Sequence, residues 1–438
     1  MSIIIKDLKQ LEEALQQHKQ DLVIAQSIII PHPICLPKGT SLRGIDGEMP
    51  LLAFSNGDGI SLAGDNLIEN LSIQTAVHQR AIYIDSTEED LGTITLNNLI
   101  VTGQVQILTR APHKYLTLNI DGLDIVAADT RRASERPLKY GVTVHQGALT
   151  IYNYSDDKES VLKANVKHVS LGRPYAPVIG SGVFIGSFNE SSSKVEVEFL
   201  QTDAIYSNGM IPFGQPTLIT GGIFLLTGAH AKEIETTGPV ITYGVNDMVL
   251  DVWGEVDKWV CHDIIRSYGT SGIGFVNFGI VHNFEAKSPI ETYGSGARGF
   301  NQYDGTIDHA VFEAVSTYGD GSIGMQFSKP VGTIKVNKDI ETHGATGESL
   351  VKGEIQSLDA TAFSVKAGGA IKHFQVGGNI KTNGKEILAF SVEEDGEISD
   401  FTIGGNIITA EETSQAVDLS DDAKLPEEVK STIKDCIH

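Results

Sequence analysis

Hydrophobic residues change their spacing after the first twenty positions of the chain. In residues 6–18, leucines fall on one face of a helix, with Lys, Gln and Glu between them. From Leu22 onward, short apolar and β-branched runs alternate with proline and glycine, which is typical of strands and turns. The next apolar stripe at helical spacing lies in residues 426–437. The pattern therefore predicts a helix at each end of a chain of short strands.

A motif repeats every 25 residues in the second half of the chain. It is an aromatic ring followed by glycine, with Ser or Thr just before the ring and Val or Ile three residues before it. The five rings are Tyr243, Tyr268, Tyr293, Tyr318 and His343. A large apolar residue follows each ring by seven positions, at Leu250, Phe275, Phe300, Met325 and Leu350. Matched positions at one fixed spacing indicate a repeat protein.

A weaker repeat runs through the first half. The pattern apolar-x-x-apolar-x-apolar recurs, and its central residues are Leu71, Leu99 and Leu123, at steps of 28 and 24 residues. Val169 continues the pattern about two steps later. The repeat therefore extends over most of the chain.

A period near 25 residues matches one turn of a coiled sheet. Three strands of four to five residues, each followed by a turn, use about 25 residues and close one triangular coil. Helical repeats and propeller blades need longer periods. We therefore predict an all-β protein, a right-handed parallel β-helix of three sides, because parallel crossovers are right-handed. The predicted single domain, 1–438, has an N-terminal helical cap (1–21), coils (22–420) and a C-terminal tail helix (421–438).

Two early segments carry a resemblance. Residues 28–44 read IIIPHPICLPKGTSLRG and residues 59–73 read GISLAGDNLIENLSI. These segments resemble the first coils of the pectin-lyase-like superfamily, and the likeness covers the whole chain at the level of architecture. It implies a parallel β-helix and the superfamily's range of polysaccharide lyases, glycoside hydrolases, epimerases, tailspikes and adhesins. The catalytic signatures Asn-Thr-Asp, Gly-His-Gly and Arg-Ile-Lys are absent from the sequence, so the resemblance implies no catalytic residue.

Charge and cysteine content narrow the classes of partner. The 438 residues include 33 Lys and Arg against 56 Asp and Glu, a formal net charge of −23. This balance argues against nucleic acid and anionic membranes. Three cysteines at wide spacing form neither a disulfide framework nor a zinc motif. We predict no cofactor and no metal site. The N-terminus lacks a signal peptide pattern, so a cytoplasmic location is the default, and a secreted form whose leader has been removed is the alternative.

The repeat also predicts which side chains point outward. Strand alternation places one outward column at the aromatic rings and a second at Ile241, Arg266, Glu291, Ser316 and Glu341. Aromatic rings beside charged groups suit sugar rings and their hydroxyls. The predicted ligand-binding residues are Tyr243, Arg266, Tyr268, Glu291, Tyr293, Tyr318, Glu341 and His343. The alternative is a purely structural ladder in which the rings stack on one another and glycine provides a bend with positive φ.

Catalytic candidates carry a weaker signal. General acid–base chemistry on a glycan needs carboxyl groups about 5–9 Å apart, and the coils offer Asp304, Asp308, His309 and Glu291. The alternative for each is a solvated turn residue. Two stretches, 129–140 and 172–220, interrupt the strand rhythm, and such loops often form a wall of a binding site.

Two functions remain open from the sequence. The first is a carbohydrate-binding or carbohydrate-active protein that acts on an extended polysaccharide along its lateral face, as a polysaccharide lyase or glycoside hydrolase if it is an enzyme. The second is a non-catalytic structural or interaction protein, an adhesin-like or tailspike-like rod. A homo-oligomer is compatible with both.

Overall fold

Almost all regular structure in the protein is parallel β-strand. The computed structural model describes residues 2–351, 354–411 and 415–437. The parallel β-helix architecture that the sequence predicts is confirmed. The chain divides into two units by its contacts, and the single domain predicted from the sequence stays a prediction. The first unit comprises Met1–Pro137, His145–Ser207 and Leu225–Ile234. The second comprises Leu138–Val144, Asn208–Phe224 and Glu235–His438.

The first unit begins with a short strand followed by a helix. Ile3–Ile5 pairs in parallel with Asp21–Ile24, so the predicted cap segment contains a strand as well as a helix. The helix, Leu8–Gln16, begins after Asp7, whose side chain accepts a hydrogen bond from the Gln10 amide and so caps the first turn. Its apolar face is buried through Leu11 and Ala14 and contacts the strands Ile3–Ile5 and Ile28–Ile30.

Two long stacks of parallel strands build the coils of the first unit. The first stack contains Ile3–Ile5, Asp21–Ile24, Ser41–Gly44, Leu67–Gln74, Asp90–Thr102, Tyr115–Ala127, Val161–Leu171, Lys194–Asn208 and Ala229–Thr236. The second contains Ile34–Leu36, Ile60–Leu62, Arg80–Ile84, Gln104–Thr109, Gly147–Asn153 and Ser181–Ser187. The shorter strands are Ile28–Ile30, Leu51–Phe54 and Val178–Ile179.

The weak repeat of the first half is a buried column. Leu71, Leu99 and Leu123 pair in register on successive coils, and each is at most 1% exposed. Val169 pairs directly with Leu123. It therefore lies one coil further on, not two, because this coil has 46 residues and includes the interruption at 129–140.

The second unit repeats three strands per coil. The first stack contains Val240–Thr242, Ile265–Ser267, Ile290–Thr292, Val315–Thr317, Ile340–Thr342, Ile380–Thr382 and Ile407–Ile408. The second contains Asp247–Val252, Ile273–Asn277, Arg298–Gln302, Ile323–Phe327, Phe363–Val365, Phe390–Val392 and Val417–Leu419. The third contains Glu255–Cys261, Ile280–Ala286, Thr306–Phe312, Pro330–Val336, Ala370–Val376, Glu397–Ile398 and Phe401–Ile403. Leu218–Leu225 precedes Asp247–Val252 in the second stack, and two further strands, Leu138–Lys139 and Val142–Val144, lie off the path of that stack.

Equivalent residues of the 25-residue repeat stack inside the second unit. The column before the rings, Val240, Ile265, Ile290, Val315 and Ile340, pairs in register and is buried. The apolar column continues from Leu250 through Phe275, Phe300 and Met325. Burial of these ladders is the main source of stability in such a repeat.

The prediction that Leu350 belongs to the apolar column is wrong. Met325 pairs with Phe363, which lies 38 residues later instead of 25. The predicted residue, Leu350, belongs instead to an antiparallel hairpin of Gly347–Val351 and Glu354–Leu358, and its side chain lies outside the described part of the structure. The hairpin is an insertion within one coil, and the stack resumes after it.

The repeated glycines are required for space, not for a bend. Gly244, Gly269, Gly294, Gly319 and Gly344 do not have positive φ, so the predicted bend with positive φ is wrong at these positions. A Cβ on Gly294 would overlap the carbonyl group of Gly269 on the preceding coil, and Gly319 and Gly344 face the same conflict with the glycine before them. Glycine therefore lets successive coils approach closely at this corner.

The second unit ends in the predicted helix, Glu427–Asp435. Its apolar stripe, Val429 and Ile433, is buried as expected. Within the described residues, neither this helix nor Leu8–Gln16 is long and apolar enough to cross a membrane.

Candidate functional site

The five repeated rings, which we call the tyrosine ladder, form a single stack. From Tyr243 to His343, neighbouring ring centroids are 5.5, 5.2, 4.6 and 4.5 Å apart, and their planes differ by 14°, 23°, 5° and 6°. The rings therefore contact one another face to face. Tyr268, Tyr293 and Tyr318 are each 39% exposed, and because both faces are covered, this exposure lies at the ring edges.

Charged side chains beside the ladder are tied to one another. The predicted column from Ile241 to Glu341 pairs in register. Arg266 donates from Nε and Nη2 to Glu291 at 2.9 and 2.6 Å, and the Tyr293 hydroxyl donates to the same carboxylate at 3.0 Å. Burial raises the pKa of Tyr293 to about 12, and the bond to Glu291 contributes. Glu341 pairs with Lys381 at 2.9 Å.

Mutual stacking restricts what the ladder can bind. Sugars stack on the faces of aromatic rings, and the central faces are occupied by neighbouring rings. Ligand binding by the ladder stays a prediction. At the central rings, a ligand could contact only the ring edges and the neighbouring charged column.

The predicted catalytic residues lie in separate places. Glu291 belongs to the network beside the ladder. Asp308 accepts a hydrogen bond from Nδ1 of His282 at 2.6 Å, and His309 is exposed on the same strand. Asp304 lines the cleft described below, where it faces Lys329 at 3.9 Å.

This cleft, which we call the lateral cleft, lies wholly within the second unit and has a volume of about 410 Å³. Its floor comes from strands of the second stack of the second unit. The stretches 129–140 and 172–220 contribute Tyr140, Pro216 and Ile219 to its walls. It is lined by Tyr140, Val142, Pro216, Ile219, Asn246, Met248, Asp251, Ser271, Ile273, Val276, Phe278, Arg298, Tyr303, Asp304 and Lys329. The size and mostly apolar lining are typical of a small-molecule site.

A second aromatic column borders the cleft. Trp253, Phe278 and Tyr303 follow one another at steps of 25 residues. Phe278 and Tyr303 stack with centroids 5.1 Å apart and planes 5° apart, and Tyr140 stacks on Phe278 at 4.4 Å. The next coil has Ser328 at the equivalent position, so Tyr303 is the last ring of the column. Its face opposite Phe278 has no ring against it among the described residues.

The floor contains a buried arginine in an apolar column. Met248, Ile273, Arg298 and Ile323 pair in register on successive coils. Arg298 is only 2% exposed. Its Nη1 donates a long hydrogen bond of 3.5 Å to the Gly296 carbonyl oxygen, and its Nε has no hydrogen-bond partner among the described protein atoms.

A buried carboxyl group lies in the same floor. Asp251 is fully buried, and neither of its oxygens has a hydrogen-bond partner within the described chain. Burial holds its pKa well above the usual range; the nearby Trp253 indole and Val252 amide lower it only in part, because neither completes a hydrogen bond. Burial therefore favours the neutral form of this carboxyl group.

We expect Asp251→Leu to stabilise the protein at pH 7. The substitution removes an unpartnered buried carboxyl group and should raise the free energy of unfolding by about 2 kcal/mol. Urea unfolding followed by circular dichroism measures the change. Asp251→Asn, which keeps a polar group at the site, should give a smaller gain. A loss of stability in the leucine variant would mean that the carboxyl group has a partner.

A smaller groove adjoins the cleft. It has a volume of about 180 Å³ and shares three lining residues with the cleft, Pro216, Asn246 and Ser271. Phe213 and Ile355, the latter from the inserted hairpin, line its other side and are 67% and 53% exposed. The cleft and the groove are therefore neighbouring cavities that share one border.

A buried aspartate ties one wall of the cleft to the floor. Asp247 is fully buried and accepts hydrogen bonds from the Thr220 hydroxyl, the Gly209 amide and the Gly244 amide. Burial raises its pKa to about 6, although these donors lower it in part. Since Thr220 follows the wall residue Ile219, Asp247 helps to fix that wall.

The sequence contains signals for part of this site. Arg298 interrupts a column that otherwise reads Met248, Ile273 and Ile323, and Phe278 and Tyr303 recur at the same 25-residue step as the ladder. Tyr140 has no such signal, because it comes from a distant loop.

No family model, curated protein sequence or solved structure matches this chain. Its function is therefore inferred from the chemistry of the lateral cleft.

Proposed function

We propose that this protein binds an extended saccharide in the lateral cleft. The observation that carries the proposal is the end of the aromatic column, where one face of Tyr303 has no ring against it beside the polar groups Asp304 and Lys329. A sugar ring presents an apolar C–H face to an aromatic ring and its hydroxyls to charged groups. Both kinds of contact are available at this position.

The adjoining groove supports a ligand of more than one sugar unit. Cleft and groove share Pro216, Asn246 and Ser271, so a chain bound at Tyr303 can continue past these residues toward Phe213. This arrangement favours a polymer or oligosaccharide over a single small molecule. We further propose that the protein is a member of the pectin-lyase-like superfamily, which its first coils resemble, and a polymeric saccharide is compatible with that membership.

We propose that the cleft binds a saccharide; that the protein also cleaves it stays a prediction. Hydrolysis of a glycan commonly uses two carboxyl groups that reach the ligand. The oxygens of Asp251 are buried, and Asp304 pairs with Lys329. An assay for new reducing ends or for the absorbance of unsaturated sugars tests whether the protein is also a hydrolase or lyase.

We expect Tyr303→Ala to weaken saccharide binding about tenfold, which corresponds to about 1.4 kcal/mol. The substitution removes the ring face on which a sugar would stack. Affinity is measured by isothermal titration calorimetry with whichever oligosaccharide from a panel of acidic and neutral types binds the native protein. Tyr303→Phe keeps the ring and should retain most of the affinity.

Tyr268→Ala separates the cleft from the tyrosine ladder. Tyr268 lies between two rings of the ladder, so its removal should lower the melting temperature and leave affinity unchanged. Loss of binding in Tyr268→Ala with full binding in Tyr303→Ala would move the site to the ladder.

A structural or interaction role is the second candidate. The observation that favours it is the mutual stacking of the tyrosine ladder, whose faces are satisfied without a ligand. If no saccharide of the panel binds and the protein self-associates in sedimentation, this second function replaces the first. Oligomeric state and cellular location stay predictions.

A further inference from the structure

Arg298 is a buried cation without a counter-charge. A guanidinium group stays protonated in proteins, and burial of a charge is unfavourable unless the charge is paired. Nevertheless, within the described residues no carboxylate lies within 4 Å of Arg298, and its Nε is unpartnered. The equivalent residues before and after it in the column are isoleucines, so the fold itself does not require an arginine here.

The other charged groups of the cleft do not neutralise Arg298. Asp251 lies two coils before Arg298 in the stack, roughly 10 Å away along the direction of stacking, and burial raises its pKa, which favours its neutral form. At the rim, Asp304 already faces Lys329. No acidic side chain that lines the described cleft therefore pairs with Arg298, in a chain whose formal net charge is −23.

We infer that the saccharide of the lateral cleft is acidic and that its anionic group lies against Arg298. This inference rests on the proposed function and specifies the class of ligand. A carboxylate or sulfate oxygen pair matches the fork of guanidinium donors, and such charge-assisted bonds are stronger where water is excluded. The ligand would then supply the negative charge and the hydrogen-bond acceptors that the described residues do not provide to the Arg298 guanidinium.

Three matched probes test the inference. They are a uronic-acid trisaccharide, the same trisaccharide after its carboxyl groups are reduced to alcohols, and a sulfated form of the reduced sugar. We expect the native protein to bind an anionic probe at least tenfold more tightly than the reduced one. The two anionic probes distinguish a carboxylate from a sulfate as the preferred group. Equal binding of all three, or preference for the reduced sugar, would overturn the inference.

Variants locate the preference at one residue. Arg298→Gln keeps a polar side chain but removes the charge, and it should bind anionic and reduced probes within about twofold of each other. Lys338→Gln is the matched control, because it also removes one positive charge but lies on the surface, paired with Glu313. It should keep the native preference. An undiminished preference in Arg298→Gln would show that another cation provides it.

Two further measurements keep the outcomes distinct. Circular dichroism and melting curves establish that Arg298→Gln is folded, and if it is not, the comparison of probes on the native protein alone still decides. Failure of every probe to bind the native protein contradicts the proposed function. Binding without discrimination leaves the proposed function in place and contradicts only the acidic ligand.

Discussion

Gly294→Ala should destabilise the protein by about 3 kcal/mol or more, because the added methyl group would overlap the carbonyl of Gly269 on the preceding coil. Both conflicting groups are backbone, so no side-chain rotation relieves the conflict. The same spacing recurs at Gly319 and Gly344, which means that a shift of one coil would disturb its neighbours. Chemical denaturation measures the loss, and a failure to accumulate folded protein is the extreme form of the same result.

Gly368→Ala is the matched control. Gly368 has a positive φ of 79°, and a Cβ there would meet nothing within 4 Å. Its substitution should therefore cost only the backbone strain of a left-handed residue, about 1 kcal/mol. Equal effects of the two substitutions would mean that close approach of the coils is not the reason for glycine at position 294.

The stability of the protein should fall as the pH rises from about 4 to about 6, through Asp247. Its pKa is about 6 in the folded protein against an ordinary value of 3.8, so in this interval the folded state holds a proton that the unfolded state has released. By linkage, stability is greatest below the lower value and decreases until the higher value is passed. The shift corresponds to about 3 kcal/mol.

Asp247→Asn isolates this contribution. Residue 247 cannot ionise in this variant, so its free energy of unfolding should lose this part of the pH dependence. The difference in unfolding free energy between the variant and the native protein should change between pH 4 and pH 6. Outside that range the difference should be constant. Asp320→Asn, which alters an exposed carboxylate that accepts a hydrogen bond from the Ala345 amide, should keep the native dependence. A native-like slope in Asp247→Asn would assign the dependence to another group.

Positions that repeat were predictable because one register is imposed on every coil. The buried column from Val240 and the stacked rings from Tyr243 follow from the 25-residue step. Insertions were not predictable in this way. Leu350 fits the pattern as well as Met325 does, and nothing in its local sequence indicates that the chain leaves the coil for a hairpin before returning at Phe363.

The candidate site was only partly predictable for a related reason. Asp304 was identified from its residue type and lines the cleft, but Asp308 and His309, close in sequence, do not. The wall contributed by Tyr140 depends on contact with Phe278, more than 130 residues away, which a repeat pattern cannot specify. Arg298 was detectable, because a charge in an otherwise apolar column conflicts with the burial that the repeat predicts.

The inserted hairpin shows that the length of a loop can change without changing the register of the coils. The backbone of Met325 and Phe363 pairs in register although the hairpin separates them in sequence. Loop length and composition can therefore vary at the groove while the stack beneath stays intact. Changes confined to such loops can therefore reshape the cavities of the protein while the hydrogen-bonded stack beneath them is kept.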